Sequence, residues 1–124
     1  MLDHVSLGVA DLERAARFYE PTLAALGLTK LVTRPATIGF GKAYPEFWIN
    51  LRPGLAAVPQ STGIHICLRT RSEESVRAFH AAALARGGTD AGAPGPRLAA
   101  MTTYYGAFIF DPDGNKIEAV TFPG

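Results

Sequence analysis

Three side chains of this 124-residue chain could do chemistry together: His4, His65 and Glu118. Each histidine opens an alternating apolar run, His4 before Val5-Ser6-Leu7-Gly8-Val9 and His65 before Ile66-Cys67-Leu68. Glu118 sits inside Ile117-Glu118-Ala119-Val120. A carboxylate in so apolar a strand is costly to bury unless it is paired, hydrogen-bonded or metal-bound. Two imidazoles and one carboxylate suit a divalent ion and leave coordination positions open for water and substrate. Zn, Ni, Fe, Mn and Co all accept such donors. An ion held in that way polarises a carbonyl or enediolate, or activates bound water. Taken singly, each residue has a plainer alternative: a strand histidine that only makes hydrogen bonds, a glutamate on an exposed edge.

The chain repeats itself in a way that would bring the three together. His4 to Phe18 spans 14 positions, as does His65 to Phe79. His4 to Gly27 spans 23, as does His65 to Gly88, so the offset is 61, about half the chain. Each half reads strand, helix, glycine, further strands. We therefore expect one α+β domain over 1–124, made of two βαβββ modules, 1–56 and 62–124. Neither module can bury both faces of its small sheet alone. Side by side they would form one curved mixed sheet with helices outside and a cavity inside. The two histidines would then face each other near a pseudo-twofold axis. By position in the last strand of each module, Asn50 is the counterpart of Glu118, and these two are the candidate catalytic residues.

Local signals place the elements. Asp11 can cap a helix whose apolar stripe is Leu12, Ala15, Ala16 and Tyr19. Pro21 has no N–H and is expected to interrupt or restart that helix, and Gly27 to end it. Strands follow over Leu28–Arg34, Thr37–Gly41 and Phe47–Leu51. In the last, Phe47, Ile49 and Leu51 share one face, and Glu46, Trp48 and Asn50 the other. Ile64–Thr70 reads as a strand with Ile64, Ile66 and Leu68 opposite His65, Cys67 and Arg69. Ser72 can cap a second helix with Val76, Phe79, Ala83 and Leu84 buried, and His80 solvated on its outer face. Ala91–Ala100 holds two glycines and two prolines and reads as a loop. A closing hairpin turns at Asp111-Pro112-Asp113-Gly114, where Pro presets φ and Gly supplies φ > 0.

Composition narrows the function classes. The chain is 48% hydrophobic and 19% charged with net charge +1, and no long run of one sign points to nucleic acid or a membrane surface. A single cysteine, Cys67, excludes an intrachain disulfide and fits a reducing compartment. No basic segment followed by an apolar one opens the chain, and no apolar stretch is long enough to span a bilayer. A soluble cytoplasmic protein with a small-molecule substrate is the expectation. Trp48, Tyr104, Tyr105 and Phe108 are candidates to wall its pocket, with ordinary core packing as the alternative. Arg69 and Arg52 are candidates to meet an anionic substrate. Cys67 shares a face with His65 but has no base near in sequence, so it reads as a small hydrophobe, not a nucleophile.

Asp3-His4-Val5-Ser6-Leu7-Gly8-Val9-Ala10-Asp11-Leu12 with Phe18-Tyr19, then Gly63-Ile64-His65-Ile66, then Asp111-Pro112-Asp113-Gly114-Asn115-Lys116-Ile117-Glu118, resemble the vicinal oxygen chelate superfamily. That group holds glyoxalase I, bleomycin-resistance proteins and extradiol dioxygenases. The resemblance covers essentially the whole chain. It implies a divalent metal on His4, His65 and Glu118, and a homodimer. Glyoxalase I-like members carry a further Glu in the last strand of the first module. Here that place holds Asn50, or Trp48 if the register shifts. The tyrosine that extradiol dioxygenases carry shortly before the Asp-Pro turn is missing from Phe108-Ile109-Phe110. Two functions follow. One is a metal-dependent glyoxalase-like enzyme, of lyase, isomerase or dioxygenase type, acting on a small oxygenated metabolite. The other is a metal-free small-molecule or drug-binding protein of the bleomycin-resistance kind.

Overall fold

The computed structural model of the chain describes residues 1–123. Its elements run β1 (Val5–Val9), α1 (Leu12–Ala24), β2 (Thr29–Arg34), β3 (Thr37–Gly41), β4 (Pro45–Leu51), β5 (Ile66–Arg69), α2 (Glu73–Ala85), β6 (Thr89–Leu98), β7 (Thr103–Phe110) and β8 (Lys116–Thr121). This is βαβββ twice. Each module makes its own four-stranded mixed sheet, in the orders β1-β4-β3-β2 and β5-β8-β7-β6. The first strand of each module lies parallel to the last, and the other pairings are antiparallel. Both first strands, β1 and β5, are sheet edges. No helix is long and apolar enough to cross a membrane among the described residues.

The capping signals act as expected. Asp11 accepts from Arg14 N at 3.0 Å, and Ser72 from Ser75 N at 3.1 Å. One buried cluster joins both modules: Phe18, Tyr19, Leu23, Phe40, Phe47 and Ile49 from the first meet Val76, Phe79, Ile109 and Ile117 from the second. Gly88 touches Phe18 so closely that a Cβ there would lie 2.5 Å from its ring.

Four local expectations are corrected. Helix α1 runs through Pro21 without a break; the lost N–H costs one bond, and Ala25 N still reaches Pro21 O at 3.3 Å. The stretch expected to be a loop is strand β6, at the sheet edge, with register shifts at Asp90–Gly92 and Gly92–Gly95. An edge strand tolerates Pro94 and Pro96 because one side of it needs no N–H donors. His80 is not solvated but 9% exposed, and its Nε2 lies 2.8 Å from Asp90 Oδ1. Leu84 is exposed instead of buried.

The Asp111–Asn115 turn locks the modules together. Asp111 accepts from Tyr19 OH (2.6 Å), Asp113 N (2.9 Å), Asn115 N (2.8 Å) and Asn115 Nδ2 (2.9 Å). Asp113 Oδ1 accepts from Ala10 N at 3.0 Å and from Arg14 Nη2 at 2.9 Å. Asn115 Nδ2 also donates to Gly8 O at 3.1 Å. Gly114 has φ +92°, and a Cβ there would stand 2.9 Å from Val58 O. Only glycine satisfies both the conformation and the close approach.

Candidate functional site

The helix-free face of the second sheet holds the ionisable residues. Side chains alternate along each strand, so Lys116, Glu118 and Val120 of β8 share that face with Cys67 and Arg69 of β5. The ladders put Cys67 directly beside Glu118 on one side and Phe108 beside it on the other. Glu118 is only 4% exposed. His65, one residue before β5, brings Nε2 to 3.2 Å from Glu118 Oε1, and its ring meets Phe108 edge-on with centroids 5.5 Å apart. Tyr104 OH donates to Glu118 Oε2 at 3.1 Å.

Missing side chains make room for the rings. A Cβ at Gly106 would come within 3.0 Å of Tyr104 Cε2, and one at Gly92 within 3.1 Å of Phe108 Cδ1. Both aromatic residues therefore lean across glycines toward Glu118. Two cations lie against rings at the ends of the row: Lys116 Nζ is 4.9 Å from the Phe108 centroid, and the Arg69 guanidinium 4.6 Å from that of Phe122. A cavity of about 250 Å³ opens between Cys67, Arg69, Tyr104, Glu118, Val120 and Phe122. Burial, and then the Glu118 carboxylate, push the Cys67 thiol up to about 12. The same two causes, in the same order, raise the Tyr104 phenol. Cys67 is thus no thiolate nucleophile near neutral pH.

Sequence reasoning placed some of these residues and missed others. His65, Glu118, Tyr104, Phe108 and Arg69 share this face. Tyr105 does not: one step along the alternation, it packs on the core, and its OH takes a 3.4 Å bond from Arg77 of α2. Trp48 and Asn50 lie on the corresponding face of the first sheet. Lys116 and Phe122 were missed; alternation counted back from Glu118 would have found Lys116. Arg52 turns back to its neighbour's carbonyl, Leu51 O, at 2.9 Å.

His4 does not join His65 and Glu118. It lies just before β1, exposed, with Nδ1 2.7 Å from Asp3 Oδ1. The expected meeting of the histidines assumed one continuous sheet. Here β1 and β5 are edges of separate sheets, positioned by the shared core and the Asp111–Asn115 lock. Among the described residues no three His, Cys, Asp or Glu side chains gather as a metal site. His65 and Glu118 are two suitable donors, and one chain alone does not supply the third.

The model of the glyoxalase/bleomycin resistance protein/dioxygenase superfamily matches residues 1–119. The chain belongs to this superfamily. Its backbone resembles that of a glyoxalase/bleomycin resistance protein from Albidiferax ferrireducens, 34% identical, with a TM-score of 0.87 over 98% of this chain and 99% of that one. A glyoxalase-related enzyme from Fulvimarina pelagi shares the fold at 19% identity, with a TM-score of 0.71 over 99% and 88% of the two chains. A glyoxalase I variant from Zea mays is 27% identical with a TM-score of 0.68, over 95% of this chain but 44% of its own. No curated protein matches the sequence.

Within the superfamily frame, the strand register decides which residue stands where Glu118 stands in the other module. Ser6 pairs with Trp48 as Cys67 pairs with Glu118. Trp48, not Asn50, is therefore the counterpart. Its ring lies across Gly39, where a Cβ would be 2.8 Å from Cζ3. Asn50 is two residues further on, accepting from Thr37 Oγ1 at 2.6 Å and donating to Ser6 Oγ.

Proposed function

We propose that this chain is a glyoxalase-like enzyme acting on a small oxygenated metabolite at the Glu118 face, with the site completed by a second copy. The observation that carries the reading is Glu118 itself: a buried carboxylate, on a face otherwise partly open, held from two sides by His65 and Tyr104. Burying a charge there opposes stability unless it is paired, and the inter-module lock does not use it. Tyr104 fixes Oε2, which leaves Oε1, beside His65, to take a proton from the substrate or return it. Phe108 and Phe122 wall the face against water.

Homodimerisation supplies what one chain lacks. The edge strands β1 and β5 are hydrogen-bonded on one side only, and open edges readily take a further strand. A second copy's His4, added to His65 and Glu118, would make the 2-His-1-carboxylate set for Zn, Ni, Fe, Mn or Co. Bound there, such an ion would supply Lewis-acid chemistry to the substrate oxygens.

Complementation tests this. Purified protein is expected to be a dimer by light scattering and to hold metal near one ion per chain by elemental analysis. His4→Ala and Glu118→Gln should each lose the metal, and refolding the two variants together should restore part of it, because one mixed site is then intact. Metal that survives in both variants would sink the proposal. The second reading, a metal-free binding protein, is favoured by the fact that one chain gathers only two donors. It predicts ligand-induced stabilisation that chelator leaves unchanged.

A further inference from the structure

We propose that the ligand of the Glu118 site carries a phosphate-type handle, held between the modules by Lys42, Arg69 and Arg71. This rests on the small-molecule reading above and adds the substrate class. Arg69 stands where several cavities meet, and two of them matter here. One is the 250 Å³ cavity at Glu118. The other, about 620 Å³, lies between the end of α1, Lys42 in the β3–β4 turn, and Arg71 and Ser75 at the start of α2. The two cavities adjoin at Arg69, and the charged wall residues of the second are all cationic.

Three elements from both modules bring these cations to one cleft. None of the three has a carboxylate within salt-bridge distance among the described residues, although the chain forms such pairs elsewhere. Of the nearby acids, Glu73 is paired with Arg77 at 3.7 Å, and Glu46 lines a neighbouring cavity with Lys42 and Arg69 without pairing with either. On a chain of net charge +1, that local excess is repulsive unless an anion occupies it. The Lys42 stem passes Gly27 in the cleft wall, where a Cβ would lie 3.6 Å from Cε, and the Arg69 guanidinium rests on Phe122 at the edge of the Glu118 cavity. Arginine forks match the paired oxygens of a phosphate. Polarity also sets the ligand's direction: Glu118 repels an anion, so the handle lies beyond Arg69 and the oxygenated end points at Glu118.

Pyrophosphate is the probe, titrated calorimetrically into the intact protein at low salt. Saturable binding is expected, weakened about tenfold or more by Lys42→Ala or Arg71→Ala, since each removes a charged contact. Added salt should weaken it further. Lys42 and Arg71 are both exposed, so thermal melts of these two variants should hardly change. Binding should persist in Glu118→Gln and in chelator, which separates failure of this proposal from failure of the metal reading. No saturable binding, or an equal loss in the remote Arg86→Ala, would overturn it. Tighter binding of citrate than of pyrophosphate would overturn the phosphate class.

Discussion

Ser6 stands beside Trp48 in the first module, and Cys67 beside Glu118 in the second, on the same rung of the same parallel ladder. Both modules use glycine to seat a ring on this face: Gly39 under Trp48, Gly106 under Tyr104. Only the second buries a carboxylate among the rings. On the helix side the offset of 61 equates Tyr19 with His80. Each donates to or pairs with an aspartate, but Tyr19 reaches across to Asp111 of the other module, whereas His80 meets Asp90 of its own. The duplicated backbone has thus divided its work. The second module carries the ionisable face, and the first receives the lock that holds the two together.

The lock is the place to break this division with the largest effect. Asp111→Ala removes the acceptor of four hydrogen bonds and leaves the fully buried Tyr19 hydroxyl without a partner. We expect a loss of about 4 kcal/mol in urea-induced unfolding, near the upper end for a single substitution. A loss below about 1 kcal/mol would mean that the shared apolar core alone holds the modules.

Glycine-to-alanine substitutions test the two ring seats against each other. Gly39→Ala pushes a methyl against Trp48 at 2.8 Å, and about 1–3 kcal/mol of stability should be lost. Gly106→Ala meets Tyr104 at 3.0 Å and also the Ala119 carbonyl at 3.2 Å. It should cost a similar amount but in addition lift Tyr104 from Glu118, which the phenol's ultraviolet titration would report as a fall from its raised value.

How much of this could be read from the chain follows from how local each feature is. The repeat was legible because Phe18 and Phe79, Gly27 and Gly88 keep equal spacings from their histidines. The caps Asp11 and Ser72 depend only on the next three residues. By contrast β6 was hidden, because Pro94 and Pro96 forbid a central strand but not an edge, and edge status is decided by distant pairing. His80 was misplaced for the same reason: without β6 there was nothing for it to be buried against. Choosing between Asn50 and Trp48 required the β1–β4 register. The position of His4 depends on how two sheets sit on one core, which no local pattern encodes.

Glu118→Gln sharpens the comparison by removing the buried carboxylate that distinguishes the second face from the first. Stability should change by no more than about 1 kcal/mol, and upward, since a buried charge is removed while Tyr104 keeps an acceptor. Metal binding should be lost, as above. Cys67 reports the same change chemically. Alkylation follows the thiolate, so in the wild type the rate should still be climbing at pH 10, its thiol being pushed up to about 12. In Glu118→Gln the rise should begin at lower pH. An identical rate profile in both proteins would show that burial alone controls the thiol.

The smallest effect separates the two aspartates that serve equivalent helix positions. Burial raises the Asp111 carboxyl, outweighing its hydrogen bonds. Its folded value therefore exceeds its unfolded one, and its contribution to stability is full in acid and lost as pH rises through the raised value. Asp90 is the reverse. The His80 hydrogen bond, and then that from Gly92 N, lower it. Its contribution is present above the ordinary carboxylate value and is lost as pH falls through the lowered one. Stability measured between neutral pH and pH 3 should accordingly fall less steeply in Asp90→Asn than in the wild type. In Asp111→Asn it should fall more steeply, because the opposing contribution is gone. Slopes that change in the same direction in both variants would show that the two helix partners do not differ in the way their surroundings imply.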